Sequence, residues 1–437
     1  MVSIYCKHNT PRLQYVVNHV FGSMLGLPYT ITTHADEFAT SSAARINYSG
    51  EDFEGALQIT PSGFLEETGT RTSEPGVGEW DDEEIIFDVD GGDIPLDIFS
   101  AVFYLLSRIG EYSDWKRGFT GTDRYSTFHD LLPGLVPYPG RPLVDIWVHK
   151  FGQLLSSRFG INIQPKAFKI IPTLDIDQAF YFRYKGLKRI VGGMAKQLLK
   201  GNLRNALTRL LVTSRLKPDP NDIFEWMEQL HAEAGVTPKF FIHVGDRGPK
   251  DDPTPYTNKK FRRIVKRLAA LYPVGVHPSY PSEKNAALMK KEKARLEDII
   301  EKPVTISRQH YLMLQLPYTY RCLIEAGITE DYTMGFAEET GYRAGTAFPF
   351  LWYDLEREQT TGLTVYPFAL MDVTLKNYMK LTPQQAKEEI GKLLEWPVKY
   401  GGNVHVLWHN ESLSEFGEWK GWREVYKWML TFGKNGN

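Results

Sequence analysis

The sequence predicts an α/β protein, with a C-terminal parallel sheet or β/α barrel preceded by a smaller mixed α/β domain. Three observations carry this. From residue 166 onward, short apolar runs alternate with amphipathic helical stretches. Aspartates and histidines recur where those runs end. A chain of 437 residues is also longer than one core ordinarily organises, which favours two or three domains.

The bulk composition bounds the function. With 42% hydrophobic and 24% charged residues the chain is that of an ordinary globular protein. A net charge of −2 lacks the basic excess of a nucleic-acid binder, so no nucleic-acid partner is expected. The two cysteines, Cys6 and Cys322, make neither a disulfide framework nor a zinc ribbon. Met1 to Pro11 has no apolar signal core, and no run of about 18 apolar residues occurs, so the expected location is the cytoplasm. A Gly-x-Ser-x-Gly elbow, a Walker A loop, a Gly-x-Gly-x-x-Gly after a strand and a His-Glu-x-x-His helix are all missing.

Residues 1–165 form the expected first domain. Arg12 to Leu25 has helical spacing, with Val16, Val17, Val20, Phe21 and Leu25 on one stripe. Glu84 to Val89 reads as a strand, and Leu96 to Ile109 and Pro139 to Ser156 as helices. The acidic stretch 79–97 reads as a solvated face. Its Asp88-Val89-Asp90-Gly91-Gly92-Asp93 bracket lacks the later glutamate of an EF-hand.

Residues 166–437 form the expected second domain. Strands are expected at Phe168 to Leu174, Lys239 to Val244, Val274 to Val276, Val304 to Ser307 and Val404 to Trp408. Helices are expected at Asp222 to Ala234, Lys259 to Leu271 and Glu283 to Ile300. In such folds chemistry gathers at the C-terminal strand ends. The residues found there are Asp175, Asp177, Asp246, His277, His310 and His409.

Asp175 and Asp177 are two apart, so along a strand they point the same way. Two such carboxylates can divide the work between metal ligand and free base. Histidines at three further strand ends supply the remaining donors a divalent cation needs, zinc foremost. A carboxylate base and a histidine acid would complete the hydrolysis of an amide.

These residues carry a resemblance to the polysaccharide deacetylases of the NodB-homology type, also called carbohydrate esterase family four. Thr173-Leu174-Asp175-Ile176-Asp177 resembles that family's first motif, usually Thr-Phe-Asp-Asp-Gly. Gly275-Val276-His277 resembles its histidine motif, Ile306 to Tyr311 its arginine motif, and Val406-Leu407-Trp408-His409 its closing Leu-x-His. Phe103 to Arg108 and Arg141 to Asp145 resemble an N-terminal domain that precedes it in one branch. The resemblance implies a distorted (β/α) barrel and a metal-dependent hydrolase that removes an N-acyl, foremost N-acetyl, group from a carbohydrate. By motif order Asp175 is the base and Asp177 the ligand, the exchange of the two roles being the alternative. His409 is the acid, His277 a ligand, and Arg308 the partner of the base. The family's second metal histidine falls here on Pro281, and His310 is the expected substitute. Tyr280, Tyr311, Arg343 and Trp408 are expected to touch the sugar. Competing readings are a catalytically dead sugar-binding relative and a metal amidase on another small molecule.

Residues 183–217 hold ten Lys or Arg and no Asp or Glu. Leu187, Ile190, Val191, Met194 and Leu198 recur at helical spacing, as do Leu203, Leu207, Leu210 and Leu211. Basic amphipathic helices of this kind suit the surface of an anionic membrane, where a carbohydrate substrate on a lipid carrier would be met. Packing of both stripes on the barrel is the alternative.

Overall fold

A computed structural model describes residues 1–70, 75–116, 140–164, 166–199, 201, 203–283 and 285–432. It places two sheets in one continuous hydrophobic core. In the N-terminal unit β1 (Val2–Cys6), β2 (Tyr29–Thr32), β3 (Ala44–Tyr48) and β4 (Leu57–Gln58) form a parallel sheet in the order β2-β1-β3-β4. A hairpin of β5 (Val77–Trp80) and β6 (Glu83–Ile86) stands apart. The expected helix 12–25 is present as Pro11–Val17 continued by a wider turn, Asn18–Leu25. Helix Ile98–Ser107 matches the second expectation, and Leu143–Phe159 the third with a later start: Gly140 to Pro142 are not helical, and Pro139 lies outside the described residues. Within the acidic stretch, Asp97 caps helix Ile98–Ser107 and accepts from Tyr48, while Asp93 takes the Gln58 amide and pairs with Arg158. Those two carboxylates serve structure rather than a cation.

The second sheet has nine strands. They are β7 (Phe168–Ile176), β8 (Lys239–Ile242), β9 (Val274–Val276), β10 (Ile306–Ser307), β11 (Glu330–Asp331), β12 (Phe350–Asp354), β13 (Gln359–Val365), β14 (Phe368–Met371) and β15 (Gly402–His409). Their order is β12-β13-β11-β10-β9-β8-β7-β15-β14, parallel throughout except for the β12–β13 hairpin. The sheet curls until Tyr332, beyond β11, lies 5.5 Å ring to ring from His405 of β15. Backbone bonds from Phe368 to Met334 and from Gly341 to Ala369 tie the loop after β11 to β14. The edge strands β12 and β14 do not pair with each other among the described residues, so the expected barrel is a curled sheet joined by a loop. Gly275 makes the tight curl possible at β9, because a Cβ there would stand 2.7 Å from Ile306.

The N-terminal unit is bolted to this sheet along the β12–β13 hairpin and the loop 341–347. Buried Arg12 makes a two-pronged contact with Glu358, at 3.1 and 2.7 Å. Tyr15 and Phe103 pack on Tyr353 with ring centroids 5.2 and 5.1 Å away. Arg343, expected at the sugar, is 1% exposed and grips Glu111 through two bonds of 2.9 Å, with Arg108 on the same carboxylate at 3.0 Å. That expectation is therefore corrected: the loop holds the two units together. Gly345 (φ +67°) lets it approach so closely that a Cβ would stand 2.8 Å from Leu105.

Candidate active site

The C-terminal strand ends bring the chemistry together. Asp175 lies opposite His409 in the β7–β15 register, and Asp177 stands just beyond β7. His277 follows β9 directly, and Gln309 and His310 follow β10 through a short turn. In that turn Tyr311 and Leu312 hold left-handed backbone (φ 61° and 56°), an unfavourable conformation for side chains of this size.

One ligand atom each from Asp177, His277 and His310 lie within 4.8 Å of one another. The orientation of both histidines is fixed from behind. His277 Nδ1 faces the Arg308 carbonyl at 2.6 Å, which turns Nε2 to Asp177 Oδ1 at 3.1 Å. His310 Nδ1 contacts Asp251 Oδ1 at 2.8 Å, which leaves Nε2 3.5 Å from Asp177 Oδ2. Asp177 Oδ1 and His277 Nε2 are buried yet complete no well-directed hydrogen bond. Two inward-facing atoms left without a proper partner, beside a second imidazole nitrogen, form a donor set that fits a divalent cation. Burial would raise Asp177, but His310 and His277 outweigh it and hold the carboxyl well below its usual range. Burial would lower His310, and the carboxylates of Asp177 and Asp251 instead lift it to about 9.

A second trio, His243, Asp251 and His310, shares His310 but faces its other nitrogen. It forms a layer behind the first. Asp251, 1% exposed, also accepts the Tyr280 amide at 3.1 Å, and His243 Nδ1 contacts the His277 carbonyl at 3.0 Å. Glu292 fixes the loop after His277 through the Ser279 amide and hydroxyl.

Two further pairs flank this centre. Fully buried Arg308 donates from Nη1 to Asp175 Oδ1 at 3.0 Å and from Nε to the Tyr332 carbonyl, sandwiched between the rings of Phe241 and Phe368. On the other side Asp372, at the end of β14, takes the His409 amide at 2.7 Å and contacts His409 Nδ1 at 2.8 Å, with Ser412 on the same carboxylate. The Nε2 of His409 then faces Asp177 Oδ2 at 3.9 Å. Burial would lower His409, and Asp372, with Asp177 and Asp175 beyond, raises it to about 10.

A cavity of about 210 Å³ opens over these groups. Leu312, Met371, Val373 and Leu407 give it an apolar side, and Tyr311 and Tyr378 stand at its half-exposed rim. Tyr280 backs Tyr311 edge-on, 5.5 Å ring to ring. Trp408 does not reach the cavity. It points to the opposite face of β15, is fully buried, and packs on Trp422 and Tyr426, which corrects its expected sugar contact. Asp246 is also elsewhere, paired on the surface with Arg295. Sequence reasoning missed Asp251 and Asp372. The latter carried one usable signal, its place directly after the apolar run Phe368–Met371.

Comparison with known proteins adds the following. A family of unknown function, DUF7033, matches residues 2–160. No curated protein matches the chain. Among solved structures the chain is similar to a putative polysaccharide deacetylase from Mycobacterium smegmatis, at 14% identity and a TM-score of 0.40 over 62% of this chain and 86% of that one. It is similar to a probable polysaccharide deacetylase from Pseudomonas aeruginosa PAO1, at 9% identity and 0.40 over 61% and 85%. It is also similar to BA3943 from Bacillus anthracis, a CE4 family pseudoenzyme, at 11% identity and 0.32 over 63% of each chain. At these identities and TM-scores the reading of the site rests on its own residues.

Proposed function

We propose that the chain is a metal-dependent hydrolase that removes an N-acyl group, foremost N-acetyl, from a carbohydrate. The observation that carries this is the convergence of Asp177, His277 and His310 between a carboxylate held by an arginine and a histidine held by a carboxylate. Asp177, His277 and His310 would hold the cation. When bound, it supplies a Lewis acid that polarises the acyl oxygen and acidifies water.

The chain's own groups do the proton work. Asp175, fixed by Arg308, accepts the proton of the attacking water. Asp372 favours the protonated form of His409 and occupies its Nδ1 side, so the Nε2 proton is aimed into the cavity. His409 delivers that proton to the nitrogen as the carbon–nitrogen bond breaks, leaving a free amine and a carboxylic acid. The apolar side of the cavity suits a methyl-sized acyl group, and the rim tyrosines suit a sugar face.

The test is acetate release from a panel of N-acetylated sugars, sugar nucleotides and oligosaccharides by protein stripped of metal and then reloaded with zinc, cobalt or nickel. Metal-dependent release is expected. Metal-loaded protein that releases nothing from the panel would overturn the carbohydrate reading and leave an amidase acting on another small molecule or a sugar-binding relative.

A further inference from the structure

We propose that the helical hairpin 187–213 is a docking element for an anionic lipid bilayer. It consists of helices Leu187–Leu199 and Leu203–Thr213, packed on each other and inserted directly after β7 and Asp177. Its apolar stripe faces outward. Leu203, Leu207 and Leu210, spaced so as to share one helix face, are 68%, 56% and 47% exposed. Val191, Leu198 and Leu199 of the first helix stand out as well, with Leu216 just beyond the second. These seven are among 15 large hydrophobic side chains that stand exposed in all the described residues, so the clustering is pronounced. Among the described side chains of the second helix only Ala206 and Val212 are buried, so Leu203, Leu207 and Leu210 do not serve the core.

Charge selects the occupant. Ten of the chain's 51 Lys and Arg fall between 183 and 217, and none of its 53 Asp and Glu. Arg215 and Lys217 are exposed; the side chains of Leu187, Lys188, Arg189, Lys196, Lys200 and Arg204 lie outside the described set. Exposed leucines in a segment rich in basic residues and free of acidic ones are the composition of a helix lying in an anionic headgroup layer. Residues 187–217 hold no aromatic side chain, whereas single-stranded nucleic acid is bound by stacking on aromatics.

The hairpin is firmly rooted. Asp219, 2% exposed, accepts the amides of Tyr181, Phe182 and Arg183 at 2.7, 2.9 and 2.9 Å. Arg183 bonds the Val212 and Lys217 carbonyls and so ties the two ends of the insertion together. A polar cleft of about 540 Å³, lined by Gln178, Lys185, Gly193, Arg209, Asp252 and Glu411, runs from the hairpin to residues next to Asp251 and close to His409. Docking would therefore bring the cleft to the membrane surface. That it meets a lipid-borne acylated amino sugar there rests on the hydrolase reading; the docking itself does not.

Co-sedimentation of the full chain with phosphatidylcholine vesicles, with and without phosphatidylglycerol, tests it without any substrate. Binding is expected only with phosphatidylglycerol, and is expected to fall at least tenfold between low and high salt. The triple variant Leu203→Ser, Leu207→Ser, Leu210→Ser should lose it, and Arg215→Glu with Lys217→Glu should weaken it by at least about 25-fold, since each basic group contributes roughly fivefold at such a surface. Circular dichroism checks that both variants fold. No binding to anionic vesicles, or equal binding to neutral ones, would overturn the proposal. So would a lipid-free dimer in analytical ultracentrifugation that the triple leucine variant abolishes, because the face would then belong to a second copy of the chain.

Discussion

The Nδ1 atom of His310 lies 2.8 Å from Oδ1 of Asp251, and this contact decides which ring nitrogen looks at Asp177. A carboxylate on Nδ1 keeps a proton there, so the proton a metal would have to displace is the one on Nε2. Because Asp251 is itself pinned by the Tyr280 amide, the imidazole is set by a rigid support. Asp251→Asn should therefore lower divalent-metal affinity by about 10–100-fold, as loss of a carboxylate behind a ligating histidine ordinarily does. Activity should return when metal is raised to saturation. Isothermal titration with zinc or cobalt reads the affinity, and unchanged binding in the variant would remove Asp251 from the site.

His409 stands in the same relation to Asp372 on the acid side. In the metal-free protein its pKa is raised to about 10 although burial alone would lower it. Its ordinary value is about 6.5, so the folded chain binds this proton more tightly than the unfolded one. The resulting stability is present in full below about pH 6.5 and is lost as pH rises through about 10. A titration of the imidazole followed by NMR should show the high value, and Asp372→Asn should bring it down towards the ordinary range. A wild-type His409 titrating near 6.5 would break the assignment of Asp372 as its support.

Glu111 holds two buried arginines, Arg108 and Arg343, across the junction of the two units. Burial alone would raise its pKa, yet the two guanidinium groups hold the carboxyl below the ordinary value. Removing one partner of such a cluster leaves charge stranded in the interior. Glu111→Ala should cost about 3–5 kcal/mol in urea unfolding. A loss of under about 1 kcal/mol, the scale of a surface ion pair, would show that the cluster is solvated in solution.

Much of the site was legible because its residues sit at the ends of apolar runs whose strand character is strong. Asp175, Asp177, His277 and His409 each close such a run. Strand alternation also explains the error at Trp408: His405, Leu407 and His409 share the inner face of β15, so Trp408 must face the helix Trp422–Thr431. Arg343 was misread because a Gly-rich aromatic loop looks the same whether it contacts a ligand or a neighbouring unit. Asp251 and Asp372 act through another residue's ring, and no spacing rule connects them to the histidines they hold. The two-residue strand β11 went unread, being too short for periodicity, and exists because neighbours on both sides pair with it. The N-terminal parallel sheet was likewise unread, its strands β2, β3 and β4 being only four, five and two residues long.

The two aspartates after β7 offer the sharpest test, because the geometry gives them different company. Asp177 faces His277 at 3.1 Å and His310 at 3.5 Å, and keeps 31% of its side chain exposed towards the cavity. Asp175 is 2% exposed and bonds Arg308 at 3.0 Å, with His277 further off at 3.7 Å. A ligand lost from a three-residue set weakens the metal directly, whereas a base lost from beside it affects only proton transfer. Asp177→Asn should therefore fail to retain metal through dialysis. Asp175→Asn should retain it and lose about 10²–10⁴-fold in kcat on a confirmed substrate. Metal analysis of the two dialysed variants, followed by kinetics at saturating metal, separates the cases. If Asp175→Asn loses the metal and Asp177→Asn keeps it, the two roles are exchanged. If both keep it, the cation is held elsewhere and the trio of Asp177, His277 and His310 is not its site.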